Sequence, residues 1–559
     1  MDQQQHRIAE SEQLKEDSSE ASAPTPENSL SREQLLQLTE QLEHIVADRS
    51  LVLPLSTEEL HRMLQAAGKV AHPGRAARRK LAKASRDQRR EAEKNAKQSD
   101  VLQDQALLAQ TGIRLAAGQE VPRRLMQSAP PEPLDSEQLL TLRRGVADGN
   151  VDSEEAERTI GRLDTARNCY ICKSDFCDLH FFYDSMCPEC AAFNYRKRVQ
   201  TADLSERYAI VTGARVKIGF EASLKLLRAG CNVVATTRFP RDAVRRYQEQ
   251  EDAEDWIDRL QVMGLDMRHT PSVEALASYL CEHLPRLDFI LNNACQTVRR
   301  PPGFYQHLMS EEQRLADDLP KETQRLLELQ SDLVHQGDLP AAQQDAATDL
   351  SKLTGSKIQG IASAASMSQV AMLAEDHLRG QFPEGQYDAD QQQIDLRDKN
   401  SWRLKLDEVS TIELLEVHLV NSVAPYIFNG RLRELMKRDC PGDRHIVNVS
   451  AMEGVFYRAF KRDTHPHTNM AKAALNMMTR TSAVDYKRDG IHMNSVDTGW
   501  ITDEDPIEIT ERKQREHGFS PPLDLIDAAA RICDPIFDGL LTGEHIWGKF
   551  LKDYQVSNW

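Results

Sequence analysis

Five of the ten cysteines crowd into one stretch, CYICKSDFCDLHFFYDSMCPEC. Within it, Cys169-x-x-Cys172 and Cys187-x-x-Cys190 are separated by fourteen residues. Each pair makes a knuckle whose two sulfurs face one ion, so the two together predict a tetrahedral four-cysteine zinc site. An iron–sulfur centre is the alternative that four thiolates also allow. Cys177 and His180 lie between the pairs at knuckle-like spacing, which leaves six candidate ligands for four positions. Six falls short of the eight that a two-ion RING-type cross-brace needs, so ubiquitin-ligase chemistry is a minor reading. Four protein ligands leave no open coordination position, and the expected Zn2+ is structural. Phe181 and Phe182 are expected in a small core that the metal stabilises, because so short a segment buries little apolar area alone.

A second pattern begins where RYAIVTG runs into Thr212-Gly213-Ala214-Arg215-Val216-Lys217-Ile218-Gly219 and then FEASLKLLRAG. A glycine-containing turn from strand to helix places backbone N–H groups and the positive end of a helix dipole at a pyrophosphate. Arg238 closes the next apolar run, VVATT. An acidic residue there would grip the ribose 2′-hydroxyl of NAD, whereas a basic one suits the 2′-phosphate of NADP. Arg215, Lys217 and Arg238 together favour NADP; the alternative is that these side chains pair with surface carboxylates.

From residue 204 to 559, outside about 302–401, the chain resembles the short-chain dehydrogenase/reductase family in several ordered places. These are TGARVKIG after the first strand, Asp266 in GLDM, Asn292-Asn293-Ala294-Cys295, Asn421 in VNSVAPYIF, HIVNVSAMEG, AKAALN around Lys472, and NSVDTGWIT ending in Thr502. The resemblance implies an α/β fold, a doubly wound parallel-sheet Rossmann domain, with NAD(P)-dependent oxidoreductase activity on a carbonyl or alcohol of unknown identity. It implies cofactor contacts from the turn at Thr212, Gly213, Arg215, Lys217, Ile218 and Gly219, and from Arg238, Asp266 and Met267. Asn293, Ala294, Lys472 and Thr502 complete that set. A homo-oligomer is implied as well.

Three departures stand out. Lys217 occupies the position of the family's second glycine, and its Cβ crowds a backbone approach to phosphate. Counting back four residues from Lys472, one helical turn, the family's tyrosine is Thr468. The family's catalytic serine is Ala451, with Ser450 just before it, while Asn421 and Lys472 are retained. An aliphatic hydroxyl is a far poorer acid than a phenol, so Thr468 does not inherit the tyrosine's role. Three readings stay open: hydride transfer with a different proton donor, from Tyr457, His465 or His467; a catalytically impaired dinucleotide-binding scaffold or sensor; or a shifted loop in which Ser450 acts.

The elements that must position these residues are legible in the apolar spacing. Short runs (RYAIVTG, NVVATTR, LQVMGLD, LDFILNNA, HIVNVS, IHMNSV, GKFLKDY) alternate with amphipathic stretches, which predicts βαβ units and a parallel sheet covered on both faces. Between Pro301 and Trp402 a polar, Gln- and Asp-rich interval lacks strand signals and is expected to be a mostly helical insertion, a substrate lid or an assembly surface. Residues 165–200 form the Cys-rich module, and the adjacent AAFNYRKR is read as a connector packing it against the sheet domain. Residues 1–150 are polar and disordered-to-helical. Ser31 with Gln34 and Ser56 with Glu59 have capping-box spacing ahead of two amphipathic helices. GRAARRKLAKASRDQRREAEKNAKQ reads as a solvated helix, or else as a nuclear-localisation or anion-binding patch.

Composition agrees with that division. The 559 residues are 40% hydrophobic and 6% aromatic, lean for a chain packed throughout. The net charge of −17 makes nucleic acid an unfavoured partner for the whole protein. No apolar run approaches the roughly 18–20 residues of a membrane span, and MDQQQHRIAESEQ lacks a signal-peptide core. The cytoplasm is the expected compartment, with the nucleus open through the basic stretch. The zinc module and the insertion are the candidate surfaces for a protein partner.

Overall fold

The computed structural model describes residues 30–118, 159–314, 319–331, 363–377, 380–388, 390–458, 461–501 and 520–559. The expected disordered tail, residues 119–158, the centre of the insertion and Thr502 therefore lie outside the described residues. The chain divides into two compact units, 1–98 and 99–559.

In the first unit, α1 (Arg32–Ala47) and α2 (Thr57–Ala71) both open on capping boxes, with Ser31 and Ser56 accepting from the backbone N–H of Gln34 and Glu59. Neither helix buries a residue. The basic stretch begins a longer helix, α3 (Arg75–Leu108), which runs on past the end of this unit; Arg89 meets Glu93 at 3.0 Å on its surface, and Asp104 accepts from the backbone N–H of Asp164 and Thr165.

In the second unit an antiparallel hairpin, β1 (Thr159–Asn168) and β2 (Asp175–His180), precedes α4 (Pro188–Val199). Each apolar run anticipated from the sequence then becomes a strand: β3 (Tyr208–Thr212), β4 (Asn232–Thr237), β5 (Leu260–Gly264), β6 (Phe289–Asn292), β7 (Arg444–Ser450), β8 (Ile491–Asp497) and β9 (Phe550–Lys552). A last strand, β10 (Gln555–Ser557), turns back antiparallel on β9. The sheet order is β10-β9-β8-β7-β6-β3-β4-β5, and every pairing except β9–β10 is parallel. The direction of winding reverses between β3 and β6, which opens a crevice at their carboxyl ends.

Both sheet faces are covered, which is why the central strands are apolar on both sides. One layer packs α5 (Lys217–Arg228) and α11 (Leu525–Thr542) through Leu224, Leu227, Ile532, Ile536 and Phe537. The opposite layer packs α7 (Thr270–His283), α9 (Ala424–Arg431) and α10 (Pro466–Arg488) through Val273, Leu280, Phe428, Ala483 and Tyr486. Between β4 and β5 lies α6 (Pro240–Gln248).

The Cys-rich segment shares its core with this domain: Phe176, Leu179, Phe182 and Tyr183 pack with Leu523 and Ala528. Lys197 bridges Asp534 and Asp538 at 2.6 and 2.9 Å, Arg198 grips Asp524 through both terminal nitrogens, and Tyr183 donates to Asp527. Lys197 and Arg198 are thus consumed in pairs with α11 and its N-cap Asp524. Among its described residues the insertion forms short helical segments, such as Pro302–Leu308, Lys321–Leu326 and Ala364–Met367, while residues 380–388 and 390–400 are irregular around the bridge Tyr387–Gln393. Pro383 and two glycines at positive φ, Gly380 and Gly385, favour turns over helix there.

Candidate active site

The crevice at the β3/β6 switch opens into a cavity of about 1220 Å³. Its floor is the turn after β3. Gly213 has φ +68°, and a Cβ there would lie 2.8 Å from Ala294 Cα. Gly219 admits no side chain at all, since a Cβ would sit 2.3 Å from the Gly213 carbonyl oxygen and 2.4 Å from Asn293 Nδ2. Asn293 ties the two strands together by donating to the carbonyls of Thr212 and Gly213, while Ala294 N donates to Thr212 Oγ1 at 2.9 Å. Lys217 has φ +54°, so its backbone keeps the left-handed conformation a glycine would take, at a cost of about 1–2 kcal/mol for a residue with a Cβ.

The basic residues of the cofactor set divide. Arg215 lines the cavity but is buried and paired with Asp242, itself buried, at 2.6 Å. Arg238 is half-buried at the cavity wall, over the Tyr305 ring at 4.4 Å, and among the described residues no carboxylate pairs with it or with Lys217. Asp266 and Met267 line the cavity, but the Asp266 carboxylate is held by Arg268 at 2.7 Å, and Arg268 also reaches Glu416. Burial opposes ionisation of Asp266, yet the guanidinium holds its carboxyl below the usual value. The two-residue spacing of GLDMRH was a readable signal for this pair.

Of the residues expected to be catalytic, Lys472 and Thr468 line the other half of this cavity, whereas Asn421 is not part of its lining. Asn421 lies in a π-helical turn, Leu419–Val423, following α8 (Thr411–His418). Its amide clasps the Gln296 backbone, accepting from N at 2.8 Å and donating to O at 3.0 Å. Widened turns of this type often mark functional positions. Lys472 and Thr468, one turn apart on α10, are both buried and both line the cavity. Lys472 Nζ donates to the Val449 carbonyl at 2.8 Å. Ser450 Oγ and Thr468 Oγ1 are buried cavity-wall hydroxyls without a partner among the described residues.

The three candidate proton donors separate clearly. Tyr457 is 49% exposed, meets Ser557 at 3.2 Å, and is absent from the cavity lining. His467 is buried off the cavity, 4.0 Å from Glu413. His465 does line the cavity. It has φ +44°, its ring stacks on Trp402 at 3.9 Å and 2°, and its Nδ1 has no hydrogen-bond partner among the described residues. Burial, with His467 beside it, pushes its pKa down to about 4. Sequence reasoning missed Trp402, because nothing local links the end of an insertion to a histidine sixty residues on. It missed Tyr170 and Lys173 too, which reach this cavity from the cysteine segment.

That segment brings the sulfurs of Cys169, Cys172, Cys187 and Cys190 within 4.8 Å of one another, with Cys172 and Cys187 3.7 Å apart. A tetrahedron with Zn–S of about 2.3 Å has S···S edges of about 3.8 Å, so the four thiols fit one ion. Hydrogen bonds from Cys187 and Cys190 hold the Cys169 thiol far below its ordinary pKa, and the same sharing drives Cys190 up. Cys177 and His180 stand outside the group; His180 Nδ1 accepts the N–H of Phe182 and Tyr183.

A family model described as short chain dehydrogenase matches residues 207–316, and one described as enoyl-(acyl carrier protein) reductase matches residues 399–520. The interval between them coincides with the insertion. An uncharacterised protein of Acanthamoeba polyphaga mimivirus is 29% identical over 388 residues, 66% of this chain and 71% of its own length. A (+)-neomenthol dehydrogenase of Capsicum annuum is 32% identical over 93 residues, covering 16% of this chain and 29% of that protein. A (-)-isopiperitenone reductase of Mentha piperita is 33% identical over 90 residues, again 16% of this chain and 29% of that protein. The chain thus spans under a third of these plant enzymes. Among solved structures, the NADPH-bound carbonyl reductase from chicken fatty liver shares 16% identity, covering 64% of this chain and 100% of its own, at a TM-score of 0.37. No helix among the described residues is long and apolar enough to cross a membrane.

Proposed function

Because the chain belongs to the short-chain dehydrogenase/reductase family, we propose that it is an NADP-preferring oxidoreductase acting on a carbonyl or alcohol, with His465 moving the proton. The observation that carries this reading is the single cavity joining the glycine turn, Arg238, Lys472 and His465. A nicotinamide dinucleotide, when bound, supplies or accepts hydride. The chain's own part is to bind and orient. Gly213 and Gly219 leave the turn bare for a pyrophosphate, Arg238, which no carboxylate pairs among the described residues, offers its guanidinium to a 2′-phosphate, and Lys472 offers an ammonium for ribose hydroxyls. With its pKa near 4, His465 is neutral at pH 7, and its ring nitrogen accepts the proton that an alcohol hydroxyl loses as the alcohol is oxidised. Its stacking on Trp402 and its left-handed backbone fix the ring, and strained conformations of this sort collect at functional sites.

Zinc at the four cysteines completes the proposal as a structural ion. Titrating NADPH and NADH into the wild type and Arg238→Asp tests the cofactor preference. The expected result is at least a tenfold loss of NADPH affinity with little change for NADH; an unchanged preference removes Arg238 from the 2′-phosphate. A dinucleotide-binding scaffold is the second reading, favoured by Thr468 and Ala451 at the tyrosine and serine positions. Tight NADPH binding without NADPH oxidation across a broad carbonyl panel would establish it.

A further inference from the structure

The cysteine centre and the cavity are not separate devices. Tyr170 lies inside the first knuckle, between Cys169 and Cys172, and its neighbour across the knuckle, Lys173, turns back at φ +66° with its N–H on the Cys169 carbonyl at 3.1 Å. Both side chains line the cavity. The Tyr170 hydroxyl accepts the backbone N–H of Trp500 at 3.1 Å, in the segment that leaves β8. That segment has further anchors: Asp497 accepts from Gly499 N at 2.9 Å and from Met452 N at 2.7 Å, Ile501 packs in the core around the cysteines, and Gly499 sits at φ +81° with the phenol close to where a Cβ would be. Asp497, Thr498, Gly499, Trp500 and Ile501 all face the cavity.

A second contact is independent of the first. Ile218, in the first turn of α5 after the glycine turn, packs against the core around the cysteines as well as against the main sheet core. Two walls of the proposed cofactor cavity, the glycine turn and the segment after β8, therefore rest on the one knuckle-bearing module. A knuckle of this length keeps its shape only while its sulfurs are held together, since two CxxC turns contribute little apolar burial of their own.

We infer that zinc bound by Cys169, Cys172, Cys187 and Cys190 is energetically coupled to dinucleotide binding, with Tyr170 as the positioning residue that transmits the coupling. The inference rests on the reading that this cavity holds NADPH. Coupling of this kind is reciprocal, so each ligand must tighten the other by the same factor.

The test uses the full-length protein. Elemental analysis should find one zinc per chain, and cobalt substitution should give the thiolate charge-transfer spectrum of a four-sulfur site. NADPH affinity is measured by fluorescence titration for zinc-loaded and chelator-stripped protein, and zinc release to a chromophoric chelator is followed with and without NADPH. Stripping is expected to weaken NADPH binding tenfold or more, and saturating NADPH to slow zinc release by a similar factor. Tyr170→Phe should retain one zinc and the cobalt spectrum yet lose most of the effect of NADPH on release, the remainder being carried by Ile218; an undiminished effect overturns the role of Tyr170. Protein purified without zinc, or zinc release indifferent to NADPH in the wild type, overturns the inference. Failure of the zinc-loaded wild type to bind NADPH at all overturns the cofactor reading and the inference with it, whereas NADPH affinity independent of zinc overturns the inference alone.

Discussion

At the residue scale the catalytic question turns on His465. Its neighbour Thr468 keeps the helix position of a tyrosine but offers only an aliphatic hydroxyl, buried without a partner among the described residues. His465, one turn earlier, has a ring in the cavity wall and a pKa pushed down to about 4 by burial. His465→Ala is expected to lower kcat by about 10²–10³-fold, within the range of general acid–base groups, while NADPH affinity stays within about twofold. Tyr457→Phe should leave both within about twofold, because its hydroxyl faces Ser557 outside the cavity. The neutral imidazole is the working form, so kcat should hold as pH falls from 8 to 5 and decline only as pH drops through about 4. A decline already centred near 6.5 would transfer the role to another group.

At the element scale the decisive join is between α4 and α11. Lys197 is 5% exposed and bonded to two carboxylates, Asp534 and Asp538, that are themselves buried. Removing the cation leaves two negative charges in a low-dielectric interface, which costs far more than the pair contributes. Lys197→Met is therefore expected to destabilise the protein by about 3–5 kcal/mol in denaturant titration. Met fills the aliphatic volume, so the loss measures charge rather than packing. A change below about 1 kcal/mol would mean that these carboxylates are solvated or protonated in the folded state.

At the scale of the whole molecule, stability should depend on pH through buried histidines. Burial lowers His445 well below its ordinary value, with His492 and His545 against it also lowered, and brings His465 and His467 to about 4. For each, the unfolded chain takes up its proton near 6.5 while the folded state stays neutral, so the unfolded state binds more protons in that window. The histidine contribution is full above about 6.5 and is lost as pH falls from there toward 4. Buried carboxylates with lowered values, Asp242 and Asp524 among them, extend the loss below about 4. Thermal unfolding between pH 8 and 4 should show Tm falling below about 6.5; a flat profile would mean that these histidines are not buried as neutral rings.

Much of the fold was legible because its signals are local. A run such as YAIVT buries both faces and must be a central strand, Gly213 and Gly219 are required by a backbone that passes within van der Waals distance of itself, and two CxxC pairs carry their own geometry. The capping boxes at Ser31 and Ser56 follow from three-residue spacing alone. What the sequence left open depends on groups distant along the chain. Whether Arg215 is free for a phosphate was decided by Asp242, twenty-seven residues away, and Asp266 by its pairing with Arg268. That His465 lines the cavity while Tyr457 and His467 do not, and that Trp402 lies against its ring, depends on residues far apart in the chain. The sequence by itself determined the sheet, the glycine turn after β3 and the four-sulfur cluster, since each is set by residues within one turn or one strand. Only the tertiary structure decided which charges are already neutralised and that Tyr170 from the cysteine knuckle stands in the same cavity, because burial and ion pairing are properties of neighbours in space.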